Sequence, residues 1–204
     1  DTKGSITKNG KDIPLNNPRE TLNSSIAFLS EDRRNVGLLL DESIELNIAV
    51  TGIEIKNKFI KSIGPIKLIN RKEIRSHALN MIKKLDIRCT SSRQLVRNLS
   101  GGNQQKVCIA RALTLEPDLL LVSEPTRGID VGAKKLVLDT LLKLNRDFNM
   151  TIIITSSELG ELRLISDRIA IIYDGKLKGI LSPDAPDEEF GLLMAGESIE
   201  KVVD

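Results

Sequence analysis

The chain has 204 residues, 40% of them hydrophobic, which is enough for one good-sized packed domain or a domain with an added lobe. Thirty basic residues against 28 acidic ones leave a net charge of +2, and aromatics are scarce. That balance argues against the global field and base-stacking platforms of nucleic-acid binders.

No apolar run approaches the roughly 18 residues needed to cross a bilayer. The longest, Leu38–Leu40, Leu119–Val122 and Ile152–Ile154, have the length of buried strands. The chain opens on Asp1 rather than Met, without a signal-peptide pattern, so a piece of a longer protein is the expectation. Cys89 and Cys108 show no CxxC spacing, which points to neither zinc nor a disulfide framework and fits a reducing cytoplasm.

In chain order, Gly4–Ile13 reads as a hairpin turned by Asn9-Gly10, and Ile26–Leu29 as a short strand ending at Ser30-Glu31-Asp32-Arg33-Arg34. From about Leu38 to Leu115 the segments are longer and helix-friendly. Arg71–Leu85 places Ile74, Ala78, Ile82 and Leu85 on one face, and Ser100-Gly101-Gly102 punctuates the run before a helix over Asn103–Leu115. The last third alternates: strand Leu119–Val122, helix Val131–Asn145 with Ala133, Leu136, Val137, Leu141 and Leu144 inward, strand Thr151–Thr155, helix Glu158–Ile165, strand Arg168–Tyr173. Such apolar strands between helices predict a parallel sheet buried on both faces. Asp174-Gly175 turns into a final hairpin, Lys176–Leu181, and residues 182–204 read as a surface tail.

Four strings carry chemistry. In Leu99-Ser100-Gly101-Gly102-Asn103-Gln104-Gln105-Lys106, a Ser-Gly-Gly step opening a helix aims free amides and the positive end of the dipole at any approaching anion. Read alone, it is also an ordinary cap and turn. Leu119–Lys134 runs a buried strand into Ser123-Glu124-Pro125-Thr126-Arg127-Gly128-Ile129-Asp130, where Glu124 could orient an attacking water. Glu31–Ile48 opens on a charge run that could be no more than a solvated loop. Ser156-Ser157-Glu158 is either a helix cap or a phosphate-facing switch.

Taken together, these strings resemble the signature motif, the Walker B strand with its D-loop, the Q-loop and the switch loop of ABC ATPases. The resemblance is to the C-terminal of two fused ATPase domains in importers of simple sugars such as ribose or galactose, or of nucleosides. The closing Gly191–Gly196 is similar to the end of such subunits. It implies an α/β fold: an ABC ATPase-like core with a mostly parallel sheet over residues 1–37 and 116–181, a helical lobe over 38–115, a C-terminal tail over 182–204, and a truncated N-terminal part. It further implies ATP and Mg²⁺ as cofactors in the intact protein, and a location at the cytoplasmic face of the membrane. Partners would be membrane-spanning permease subunits, an N-terminal ATPase domain or second copy, and indirectly a solute-binding protein. Glu124 would be catalytic. Ser100, Gly101, Gly102, Asn103, Glu31, Asp130 and Ser157 would meet nucleotide, the signature loop reaching ATP held by the opposite domain.

Three departures from that pattern stand out. No Gly-x-x-x-x-Gly-Lys-[Ser/Thr] loop is present; Gly4 to Gly10-Lys11-Asp12 has the wrong spacing and ends in Asp. Ser123 stands where the family usually has Asp, and Ser157 where it has His. These leave open a non-catalytic half that supports a partner's site, and the isolated chain is expected to be inactive. A soluble ABC ATPase of DNA repair or translation is a third reading, against which the near-neutral charge speaks. His77 and both cysteines read as packing residues.

Overall fold

In a computed structural model the fold is described for residues 4–198, as two compact units divided at Thr155/Ser156. The first begins with a hairpin of β1 (Thr7–Lys8) and β2 (Lys11–Asp12), turned by Asn9 and Gly10, whose φ angles of 52° and 74° suit a two-residue turn. Helix α1 (Pro18–Asn23) follows, capped by the Asn17 side chain.

Strands β3 (Ile26–Leu29), β6 (Leu119–Ser123) and β7 (Thr151–Thr155) make a parallel sheet in the order β3-β6-β7. Ile26 aligns with Leu119, and Leu119 with Thr151. Between them lie α2 (Ile44–Lys56), a hairpin of β4 (Ile60–Ile63) and β5 (Ile66–Ile69), α3 (Arg71–Lys84) and α4 (Gly101–Leu113). Helix α5 (Val131–Phe148) joins β6 to β7.

One face of the sheet, with Ala27, Leu29, Leu120 and Val122, is buried against Ile44, Ile48, Val107, Ile109 and Leu141. The other face is open: Phe28 is 56% exposed and Ile153 54%, with Leu121 between them in register. A sheet buried on both faces was expected. On that face Ile26 is still buried and Leu119 and Leu121 are half-buried, so cover is missing chiefly at Phe28 and along β7.

The helical stripes follow the 3.6-residue period with local shifts. In α3 the buried residues are Ile74, Ala78 and Met81, followed by Leu85, while Ile82 is partly buried. In α5 the buried stripe is Val137, Leu138, Leu141 and Leu144. Leu136, expected inward, is half exposed, because it lies one helical step outside that stripe. Leu38–Leu40, read as strand-like, is a loop: Leu38 is buried and Leu39 exposed, and Asn47 takes its backbone bonds.

The second unit contains α6 (Leu159–Ile165), β8 (Ile169–Tyr173), β9 (Lys176–Leu181) and α7 (Asp187–Met194). Strand β8 pairs with β9 in the antiparallel hairpin expected at Asp174-Gly175, and not, as also expected, with the strands of the parallel sheet. Asp174 and Gly175, at φ 48° and 69°, close that hairpin locally, so the chain needs no crossover to satisfy it. The segment read as a surface tail carries α7, whose Phe190 and Leu193 are buried with Ile169 and Ile171. Residues 199–204 lie outside the described part.

His77 shows how the helical lobe is held. Its Nε2 lies 2.9 Å from Thr114 Oγ1, and that hydroxyl donates to the Ala110 carbonyl at 3.0 Å. With the hydroxyl proton committed to Ala110, it is the Nε2–H of the imidazole that donates to Thr114. Burial, and then the Lys58 ammonium, hold its pKa below the ordinary value. Below about pH 6.5 the unfolded chain takes up a proton that the folded chain refuses, so stability falls on acidification. Urea titrations from pH 7.5 to 5 should show this slope, and His77→Gln should flatten it.

Candidate functional site

Ser100 caps α4 with extended backbone, φ −63° and ψ 158°, and no side-chain hydrogen bond caps the helix start. Three orphan amides and the dipole of a 13-residue helix therefore face outward there. Asn103 turns its side chain back, donating to Ser100 Oγ at 3.0 Å and accepting from the Arg88 N–H at 2.8 Å. A cavity of about 280 Å³ opens at this point, lined by Ser100, Gly102 and Asn103 from α4, by Asp130 and Ala133 from α5, and by Arg88 and Lys106. Ser100 is exposed and the helix start has room for an anion.

Gly102 is needed for this geometry. A Cβ built on it would meet Ala133 Cβ at 2.8 Å, so α4 and α5 approach as closely as they do because the position has no side chain. Asp130 caps α5, accepting from the Ala133 N–H at 2.9 Å, and its exposed carboxylate borders the same cavity.

The ends of β3 and β6 form the second part of the site. Parallel sheets bind ligands beyond the carboxyl ends of their strands. Leu29 aligns with Val122, so Ser30-Glu31 and Ser123-Glu124 leave the sheet side by side. Glu124 sits at φ 42°, a left-handed conformation uncommon for a glutamate, with its N–H bonded to the Thr155 carbonyl at 2.8 Å. Backbone held away from its preferred region clusters at functional positions.

The Glu31 carboxyl is held below the usual range, first by its own backbone N–H and then by the Ser123 hydroxyl nearby. Asp32 caps the following turn, Arg33–Gly37, through the Asn35 N–H at 3.0 Å, and that contact lowers its pKa.

The two parts are joined by a residue the sequence did not single out. Arg33, expected in a charge run, is buried; its Nε donates to Gln104 Oε1 at 3.3 Å, and its guanidinium faces Gly101. Gln104 Nε2 in turn donates to the Val96 carbonyl at 3.2 Å. Behind this, Arg111 donates from Nε to the Asn47 carbonyl at 2.9 Å and from Nη1 to the Gly37 carbonyl. Periodicity cannot reveal such residues, because their partners are 60 to 75 positions away in the chain. Cys108, behind Gly37, has its thiol pushed up to about 12 by burial and is inert packing.

Of the expected site residues, Ser100, Gly102, Asn103 and Asp130 line one cavity, Gly101 lies beside it, and Glu31 and Glu124 occupy adjacent strand ends. Ser157 belongs to the second unit and is exposed there, with the Glu158 N–H bonded to Ser156 Oγ at 3.1 Å. The helix start fits a terminal phosphate. Ser123 offers a hydroxyl and no negative charge, so it would contribute little to holding a magnesium ion, which takes its ligands largely from carboxylates, phosphates and water. Nor does any loop here have the glycine spacing that cradles a nucleotide.

Residues 1–127 match the sequence pattern of the ABC transporter family. The chain is 38% identical over 192 residues to a ribose import ATP-binding protein of Bacillus cereus, covering 94% of this chain and 37% of that protein. It is 41% identical over 187 residues to a xylose import ATP-binding protein of Thermoanaerobacter pseudethanolicus (92% and 35%). A nucleoside import ATP-binding protein of Lactococcus lactis is 37% identical over 199 residues (97% and 38%). The chain therefore spans little more than a third of the length of these relatives. A dimeric ATP-binding cassette in a post-hydrolysis state, bound to ADP and phosphate, superposes with a TM-score of 0.71 at 22% identity, covering 90% of this chain and 75% of that one, which shows the shared fold. Sequence pattern, relatives and fold agree, and the chain belongs to the ABC transporter family.

Proposed function

We propose that this chain is part of the ATP-binding subunit of an importer for a simple sugar such as ribose or galactose, coupling ATP hydrolysis to uptake. The observation that carries the reading is the uncapped start of α4 at Ser100, open to the cavity beside Asp130. Its amides would meet the γ-phosphate of an ATP seated on an opposing ATPase domain or second copy, and Asp130 would border the same junction. Glu124 would orient water at this chain's own site, with Glu31 beside it and Ser157 contributing from the switch loop. ATP with Mg²⁺ would be held mainly by other segments, since Ser123 supplies no carboxylate. Permease subunits would place the protein at the cytoplasmic face of the membrane, with a solute-binding protein acting indirectly. The partial α/β nucleotide-binding core would follow residues 1–37 with 116–181, the helical lobe 38–115, and the C-terminal tail 182–204. A nucleoside importer is supported by one of the relatives in the same way.

A second reading, favoured by Ser123 and Ser157, makes this half a non-catalytic support for the partner's site. ATP turnover by the full-length protein separates the two. Ser100→Arg should lower the rate by about 10²–10³, because its bulk would keep the terminal phosphate from the preorganised amides of the helix start; an unchanged rate overturns the proposal. Glu124→Gln should cause a comparable loss if this half hydrolyses ATP. If it leaves the rate unchanged while Ser100→Arg does not, the supporting role is the correct one.

A further inference from the structure

The β4–β5 hairpin stands apart from the helices it joins. Ile60 pairs with Ile69, Lys61 with Leu68, Ser62 with Lys67 and Ile63 with Ile66. Cross-strand partners share a face, so Ile63, Ile66, Leu68 and Lys61 lie together on one side. Gly64, at φ 59°, and Pro65 close the turn. The root is fixed: the Asn70 N–H bonds to the Phe59 carbonyl at 2.8 Å, and Phe59 is buried with Ala49 and Ile74. Beyond the root every residue from Lys61 to Ile69 is exposed, with Ile63 at 65% and Ile66 at 59%. Two strands cannot bury a face of their own, and a cluster of exposed aliphatics at one projecting tip marks a contact surface.

Charge indicates what it contacts. From Ile55 to Lys72 there are six Lys and Arg residues and no Asp or Glu, in a chain otherwise close to balance. Lys58 is tied to Glu116, and Lys56 to the Asn23 carbonyl. Lys61, Lys67, Arg71 and Lys72 are exposed, and none has an ion-pair partner among the described residues. Protein interfaces are depleted in lysine and enriched in aromatic residues, whereas this hairpin has lysines and no aromatic ring. An aliphatic tip inside a cationic collar matches the boundary between acyl chains and anionic headgroups, where lysine stems extend to reach phosphate.

We propose that the β4–β5 hairpin is a lipid-contacting element: Ile63 and Ile66 enter an anionic bilayer while Lys61, Lys67, Arg71 and Lys72 bind headgroup phosphates. Among the described residues no helix is long and apolar enough to cross a membrane, so such contact would be peripheral.

Co-sedimentation of the chain with vesicles tests it. Binding is expected to phosphatidylcholine vesicles containing phosphatidylglycerol, at least about tenfold weaker to phosphatidylcholine alone, and reduced by salt. The pairs Lys61→Glu with Lys67→Glu, and Ile63→Ser with Ile66→Ser, should each lose about tenfold or more, with unchanged circular dichroism because these side chains touch no core. No binding to anionic vesicles, equal binding to both lipids, or binding retained by either variant overturns the proposal. Tip-dependent binding only to vesicles carrying permease subunits also overturns it, and makes the hairpin a protein contact.

Discussion

A methyl group at Gly102 is expected to force α4 and α5 apart. The new carbon would lie 2.8 Å from Ala133 Cβ and 3.9 Å from its Cα, and Ala133 has no rotamer with which to withdraw. Overpacking of this kind costs about 1–3 kcal/mol. Replacing glycine near a helix start returns less than the roughly 1 kcal/mol that Ala holds over Gly in a helix interior. Gly102→Ala should therefore destabilise by about 1–2 kcal/mol, and Gly102→Val by more. Two controls make the result specific. Gly101→Ala would meet the end of the Arg33 side chain at 3.4 Å and the Gly128 carbonyl at 3.6 Å, both ordinary contact distances, so it should change the urea midpoint little. Ala133→Gly combined with Gly102→Ala should restore much of the loss. A Gly102→Ala protein as stable as the wild type, with no rescue, would mean that the two helices do not pack as described.

Replacement of Asn47 by Leu should cost about 2–4 kcal/mol, because it orphans several backbone groups at once. Asn47 is fully buried. Its Oδ1 accepts the Leu39 N–H at 2.8 Å, and its Nδ2 donates to the carbonyls of Leu39 at 2.8 Å and Ser43 at 3.0 Å. This side chain replaces a strand ladder for the apolar loop after Gly37, and with Arg111 it ties the Glu31–Gly37 segment to the helical lobe. Asn47→Asp gives a second test with a definite sign. Burial would raise the introduced carboxyl above its unfolded pKa, so that variant should be least stable at neutral pH and recover as pH falls. Denaturation midpoints at pH 5 and 7 read this directly. A Leu variant within 0.5 kcal/mol of wild type, about the usual range for surface changes, would show that water satisfies the loop instead.

The hairpin prediction and the Ser100 prediction address different surfaces. The first concerns residues 60–69, rooted on Phe59; the second concerns the start of α4. Failure of one leaves the other standing.

Local order carried the motifs, and therefore the family. The string from Leu99 to Lys106, the run from Leu119 to Asp130 and the Glu31-Asp32-Arg33 segment were readable because each is contiguous, with its chemistry set by residue type and spacing. The hairpins at Asn9-Gly10 and Asp174-Gly175, and the stripes of α3 and α5, were readable for the same reason: turn conformation and helical period act over a few residues. Tertiary structure decided the remainder. Arg33 looks like a solvated charge until Gln104, 71 positions on, receives it. Ser123 looks like a plain loss until its hydroxyl is found close enough to Glu31 to help hold that carboxyl below the usual range. Strand β8 is as apolar as its neighbours and its hairpin with β9 follows from the turn, yet its absence from the parallel sheet does not, because pattern specifies a buried face and not the partner at the edge. The open sheet face with Phe28 and Ile153 has the same origin: sequence sets which residues seek cover, and only packing among distant segments determines which of them receive it.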